Sequence, residues 1–222
     1  MRQVTKTYYR DKRAQQASVM AVDQIDLKVK RGEFLVITGR SGCGKTTLLN
    51  MMAGMARPDS GQVFIDGVDI WTLQDEEISC LRNLRLGFIF QVPSLIPTLN
   101  VLDNVVVPTM FAPKETQVDA YPRARQALEA VGLSQRMEAF PHHLSAGEEK
   151  RVVIARAIIN NPPVLLADEP TANLDELTER EIMALIQKIH DGGTTIALVT
   201  HHPTLIDYGT KHLKMSDGRF IA

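Results

Sequence analysis

The sequence predicts an α/β protein with a mostly parallel sheet, an antiparallel β edge region and an inserted helical lobe. Three observations lead there. Short apolar runs of strand length recur along the chain and alternate with stretches of helical periodicity. Those runs are apolar throughout rather than every second residue, as strands buried on both faces are. The stretch from about 92 to 157 reads as helical and falls between two such runs.

Each element has its own signal. Phe34–Thr38 (FLVIT) is a buried strand ending at Gly39, and Thr46–Ala53 is a helix stopping near Gly54. Val63–Ile65 followed by Asp66 and Gly67 suggests a hairpin. Leu86–Phe90 is another strand. Helices are expected over Asn104–Met110 and Val118–Val131, the second closed by Gly132. Val164–Ala167 and Thr195–Thr200 are buried strands. Between them Ile182, Leu185, Ile186 and Ile189 recur at helical spacing, and Asp191-Gly192-Gly193 ends that helix.

Composition sets the outer bounds. With 222 residues, 44% of them hydrophobic and 23% charged, the chain can bury a core of ordinary size. Lys and Arg number 25 against 26 Asp and Glu, so net charge gives no argument for nucleic acid. Arg2, Lys6, Arg10, Lys12, Arg13, Lys28, Lys30 and Arg31 outweigh Asp11, Asp23 and Asp26 near the N-terminus. Such a cluster is ordinarily a solvated face, although acidic lipid headgroups would suit it. No apolar run approaches the roughly 18–20 residues of a spanning helix, and no signal peptide is legible. Two cysteines, Cys43 and Cys80, make no disulfide framework, so a reducing compartment is expected.

The strongest chemical signal is Gly39-Arg40-Ser41-Gly42-Cys43-Gly44-Lys45-Thr46, a GxxxxGK[ST] loop placed between a strand and a helix. Glycines let successive backbone N–H groups turn toward an anion, and the helix N-terminus adds partial positive charge. Lys45 can reach terminal phosphates of a nucleotide, and the Thr46 hydroxyl can ligate Mg²⁺. A second signal is the strand Val164–Ala167 running into Asp168 and Glu169. Alone, such an ending is often a solvated turn. Beside a phosphate loop, Asp168 suits Mg²⁺ and Glu169 suits orientation and deprotonation of an attacking water. The third signal, Leu144-Ser145-Ala146-Gly147-Glu148, opens an apolar helix through Val152, Val153 and Ile159. Ser145 and Glu148 form an S-x-x-E capping box, and the same helix start can serve as a second anion site.

In this order the motifs resemble the ATP-binding cassette of ABC transporters across essentially the whole chain. The Walker A motif matches Gly39–Thr46, Walker B matches Val164–Asp168, and Glu169 stands where the family has its catalytic glutamate. Leu144–Glu148 matches the signature usually written LSGGQ. The Q-loop glutamine matches Gln91, the D-loop matches Asn173-Leu174-Asp175, and the switch histidine matches His201. Tyr8, two residues after Lys6, fits the adenine-stacking aromatic better than Tyr9 does.

The resemblance implies a single domain over 1–222 with a P-loop NTPase core. The RecA-like part would cover about 1–91 and 158–222, and the helical lobe about 92–157. It implies an ATPase using ATP and Mg²⁺, with Glu169, His201, Gln91 and Lys45 catalytic. Nucleotide would lie on Tyr8, Gly39, Arg40, Ser41, Gly42, Cys43, Gly44, Lys45, Thr46, Thr47, Ser145 and Gly147, and the metal on Thr46, Gln91 and Asp168. It further implies a head-to-tail homodimer around two ATP molecules, at the cytoplasmic face of a membrane. Integral-membrane permease subunits on other polypeptides would be its partners, and nucleic acid would not.

This sequence departs from the family pattern at three places. Ala146 replaces a signature glycine, Glu148 replaces the glutamine, and His202 stands where the family usually has Asp. A carboxylate near a triphosphate is unfavourable unless it turns away into the capping box. Adjacent His142 and His143 read as surface loop residues rather than a metal site. The segment from Leu84 to Val105, with Leu166–Asp175 and Met215–Gly218, is similar to the lipoprotein-releasing, macrolide-export and cell-division branch. An importer cassette shares most of these residues and stays open as an alternative. So does a soluble ABC-type ATPase of DNA repair or the ribosome, although such proteins usually need two cassettes, a coiled coil or zinc motifs. A P-loop kinase or small GTPase would lack Leu144–Glu148 and the Thr200-His201 switch.

Overall fold

The computed structural model of the chain describes residues 1–9, 18–112 and 119–221. Of the residues singled out in the sequence, Arg10, Asp11, Lys12, Arg13 and Val118 lie outside the described residues. The chain divides into two compact units, Met1–Ile78 with Ala197–Ala222, and Ser79–Ile196.

In the first unit, strand β1 (Arg2–Tyr9) lies between β2 (Ser18–Ile25) and the short β4 (Ser60–Gln62) in an antiparallel sheet. Val4 stands opposite Ile25 and Tyr8 opposite Val19. Strand β3 (Phe34–Thr38) is buried along its whole length, as its uninterrupted apolar run requires. It pairs in parallel with β10 (Lys211–Ser216), which turns back into the antiparallel β11 (Arg219–Ile221). After β3 comes α1 (Lys45–Met52), with Ala53 as its C-cap, one residue earlier at each end than the sequence suggests. Its Leu48, Leu49 and Met51 are buried. The expected hairpin is present as β5 (Phe64–Ile65) and β6 (Val68–Asp69). Asp66 and Gly67 both have positive φ, the geometry that suits a tight hairpin turn.

Helix α2 (Asp75–Arg85), within which the chain passes to the second unit, has no counterpart in the sequence reading. Ile78 is its one buried residue, and Leu81 and Leu84 continue a narrow apolar stripe from it. What marks it is charge. Asp75, Glu76 and Glu77 occupy the first turn and Arg82 and Arg85 the last, complementing the helix dipole.

In the second unit β7 (Leu86–Ile89) pairs in parallel with β8 (Val164–Asp168), Gly87 facing Leu165. Between them in the chain lie α3 (Val101–Val106), α4 (Ala120–Ala130) and α5 (Ala146–Ile158), packed on one another, with α5 also against β7. Gly87 permits that contact, since a Cβ there would meet the Ala157 carbonyl and stand 3.0 Å from Pro162. Gly132 follows α4 as expected, with φ +76. Helix α3 begins three residues earlier than Asn104, because the Asn100 side chain accepts from the Asp103 N–H and caps it. The stretch Val107–Phe111 is a 3₁₀ continuation. Helix α6 (Glu176–Asp191) buries Ile182, Met183 and Ile186. Strand β9 (Thr195–Thr200), within which the chain returns to the first unit, is buried throughout.

Candidate nucleotide-binding site

The first unit supplies the phosphate loop. Residues 39–44 join the buried end of β3 to α1, so a rigid strand and a helix N-terminus fix both ends. Gly44 is the residue before the helix, at φ +105, and has no side chain to cap the orphan N–H groups that follow. A Cβ on Gly44 would run into the Ala21 carbonyl and come within 2.9 Å of Met215 Cε. Glycine is therefore required by backbone angle and by space. The Gly218 N–H donates to the Cys43 carbonyl at 3.1 Å, tying the loop to the β10–β11 turn. Lys45 is only 5% exposed, and its ammonium donates to the carbonyls of Gly39 at 2.8 Å and Arg40 at 3.1 Å. The lysine thus arches back over the loop, its charge above the backbone that would surround an anion.

The same unit carries Tyr8 and Tyr9, both exposed, on adjacent positions of β1 and so on opposite faces. Lys6 Nζ lies 5.7 Å from the Tyr8 ring centroid and is ion-paired to Asp59 at 2.8 Å. His201 follows β9 on an exposed bend, its ring 4.2 Å from that of His202. The His202 N–H donates to Thr200 Oγ1 at 3.0 Å, so the turn after the strand is locally braced.

The second unit supplies the acids and the signature. Asp168 and Glu169, at the end of β8, are 5% and 7% exposed. Glu169 has φ +45, a left-handed conformation uncommon for a residue with a Cβ, and its carbonyl accepts from the Ala172 N–H at 3.1 Å. Such backbone strain concentrates at functional sites. Beyond it, Thr171 Oγ1 donates to Glu179 at 3.0 Å. Asp175 caps α6, accepting from the Thr178 N–H and hydroxyl at 3.0 and 2.6 Å, and these bonds lower its pKa. The signature lies at the start of α5 as a complete capping box. Ser145 Oγ accepts from the Glu148 N–H, and Glu148 Oε2 accepts from the Ser145 N–H at 2.9 Å. The Arg136 guanidinium pairs with Glu148 Oε1 at 2.8 Å. Those bonds, the Ser145 N–H foremost, hold the Glu148 carboxyl below its ordinary range. The departure from the usual glutamine is therefore absorbed locally. Ser145, Gly147, Asn173 and Asp175 line a hollow of about 480 Å³ on this unit.

Gln91 lies just past β7 and is exposed. Its backbone carbonyl accepts from Lys150 Nζ at 2.6 Å. Neither Lys150 nor Arg156, which donates to the carbonyls of Pro93 and Ser94, is among the motif residues. A signal existed: Lys150 stands at i to Val153, Ile154 and Ala157, placing a charge on the apolar stripe of α5.

Comparison with known proteins places the whole chain in a family. A family model described as ABC transporter matches residues 22–172. The lipoprotein-releasing system ATP-binding protein LolD of Aquifex aeolicus is 42% identical over 197 residues, covering 89% of this chain and 88% of its own length. The macrolide export ATP-binding/permease protein MacB of Chlorobaculum tepidum is 39% identical over 215 residues, 97% of this chain but 32% of that one. The ATP-binding cassette MJ0796 of Methanocaldococcus jannaschii has been solved as a dimer in a post-hydrolysis state bound to ADP and Pi. It matches 100% of this chain and 95% of its own at 36% identity, with a TM-score of 0.90.

Proposed function

This chain belongs to the ABC transporter family of ATP-binding cassettes and is an ATPase, and from that premise we propose that it drives a separate membrane permease. The single observation that carries the proposal is the conjunction, in one chain, of the phosphate loop, the strained Glu169 and the capped signature helix.

The phosphate loop and Lys45 bind the nucleotide phosphates through backbone N–H groups and one ammonium. Tyr8 stacks on the base. Thr46, Gln91 and Asp168 are oxygen donors, the donor type that suits Mg²⁺, and they would hold it; the ion, when bound, screens phosphate charge. Glu169 orients and deprotonates the attacking water, and His201 steadies the terminal phosphate. One phosphate loop leaves that phosphate partly uncovered. A second copy in head-to-tail arrangement completes the cage with the Ser145 hydroxyl, the Gly147 N–H and the helix dipole. ATP then holds the dimer shut, and loss of the shared charge on hydrolysis lets it open.

The domain reading that accompanies this is a core of about 1–91 and 158–222 with a helical lobe of about 92–157. Movement passes to the permease through the segment from Gln91 to Val107, where Val92 and Ile96 are exposed. No described helix is long and apolar enough to cross a membrane; the proposed place of the chain is that of a peripheral subunit on the cytoplasmic face. Export or mechanical work, as the names of LolD and MacB suggest for those relatives, is favoured over import.

The test is Glu169→Gln. It is expected to retain ATP, to accumulate dimer by size-exclusion chromatography and to lose turnover. Turnover at the unsubstituted rate would refute the role given to Glu169.

A further inference from the structure

The segment after β7 is held in an unusual way. The carbonyl of Gln91 accepts from Lys150 at 2.6 Å, that of Pro93 from Arg156 at 2.9 Å, and that of Ser94 from Arg156 at 3.0 Å. The Val92 carbonyl accepts from the Ser94 hydroxyl at 3.2 Å, and Ser94 itself has φ +47. Two cationic side chains, both from α5, thus fix an exposed loop through its main chain. These contacts depend on no particular side chain in the loop.

Lys150 is 4% exposed, so its ammonium is largely removed from water. Burial lowers its pKa, while the charges of Asp168 and Glu149 favour the protonated form. A buried ammonium is a costly way to fill space, and an apolar side chain of the same length would pack at no loss. Docking of α5 on β7 does not rest on it alone, since the Ala157 carbonyl already approaches Gly87 closely. What the charge supplies is a short, charge-assisted bond to a loop carbonyl. The same helix begins at Ser145, in the signature.

We propose that Lys150 and Arg156 are positioning residues for ATP hydrolysis, clamping the 91–94 main chain to the signature helix so that Gln91 and Ser145 move together. This rests on the role given to Gln91 above. The clamp makes the loop a reporter of how α5 is placed, with no contact between Gln91 and the signature needed.

The test uses the full chain and compares Lys150→Met, Lys150→Gln, Gln91→Ala and the Lys150→Met/Gln91→Ala double variant. Met removes the donor and keeps the length, whereas Gln keeps a neutral donor. In Lys150→Met, amide hydrogen exchange at Val92, Ser94 and Leu95 is expected to quicken by about tenfold, the scale of one lost charge-assisted bond. The kcat should fall by a similar factor with KM for ATP within about twofold, Lys150→Gln should recover most of both, and the double variant should be no slower than Gln91→Ala. Unchanged exchange in Lys150→Met, or losses that multiply in the double variant, would overturn the clamp. Normal turnover in Gln91→Ala would instead refute the role of Gln91, and the exchange rates alone would then decide whether the clamp exists.

Discussion

Removing the Glu148 carboxylate tests whether this residue serves helix structure rather than nucleotide contact. In Glu148→Ala the Ser145 N–H loses its acceptor at 2.9 Å and Arg136 loses its partner at 2.8 Å. The cap is worth about 1 kcal/mol. The Arg136 side chain is half exposed, so solvent screening holds that pair to about 0.3–0.5 kcal/mol. Together they make about 1.5 kcal/mol, or a fall of about 3–6 °C in Tm for a chain of this size. Glu148→Gln keeps an acceptor for the Ser145 N–H and should lose no more than the ion pair.

The pH dependence follows from the sign of the shift. The folded carboxyl has its pKa lowered from the ordinary 4.5, so its contribution is fully present above the unfolded value. It fades as pH falls through the folded value. Thermal melts at neutral and acidic pH should therefore show the gap between wild type and Glu148→Gln closing on acidification, while ATP turnover at neutral pH changes by less than about twofold. A Glu148→Ala protein that melts with the wild type at neutral pH would refute the cap. A loss of turnover in Glu148→Gln without loss of stability would show that the carboxylate meets substrate.

Two other substitutions probe local geometry. Gly44→Ala must adopt φ +105 at a cost of about 1–2 kcal/mol and displace the Ala21 carbonyl, so titration of ATP should show affinity weakened by at least about tenfold. Asn104 is fully buried, accepts from the Ile96 N–H at 2.8 Å, and donates toward the carbonyls of Ile96, Leu99 and Asn100. Asn104→Ala takes this partner from the Ile96 N–H and the Leu99 carbonyl, while the Ile96 and Asn100 carbonyls keep backbone donors, and chemical denaturation should register a loss of about 2–4 kcal/mol, with no loss arguing against the staple.

Elements with a dense apolar signature were legible in the sequence. Phe34–Thr38 and Thr195–Thr200 are strands over the expected residues because continuous apolar runs of that length need burial on both faces. Gly132 marked the end of α4 and Asp66-Gly67 the hairpin, because backbone angle restricts which residues can stand there. The short β4, exposed throughout, gives no periodicity to find, and in α2 the apolar positions Ile78, Leu81 and Leu84 are outnumbered by charged and polar ones. Helix α3 starts ahead of Asn104 because Asn100 is its cap, and the Asn104 side chain stitches the preceding loop instead of starting a helix.

The sequence by itself determined the family and the chemical inventory, since a phosphate loop, two carboxylates after an apolar strand and a capped glycine turn are short-range patterns. The departure at Glu148 is also answerable locally, because a capping box spans four residues. Only the tertiary structure decided that Glu169 sits in a left-handed turn. It alone placed the Ala21 carbonyl against Gly44, and Lys150 and Arg156 on the carbonyls after β7. These are contacts between main chain and distant residues. A backbone carbonyl has no identity in a sequence, so the partner that seeks it cannot be read until the chain has folded.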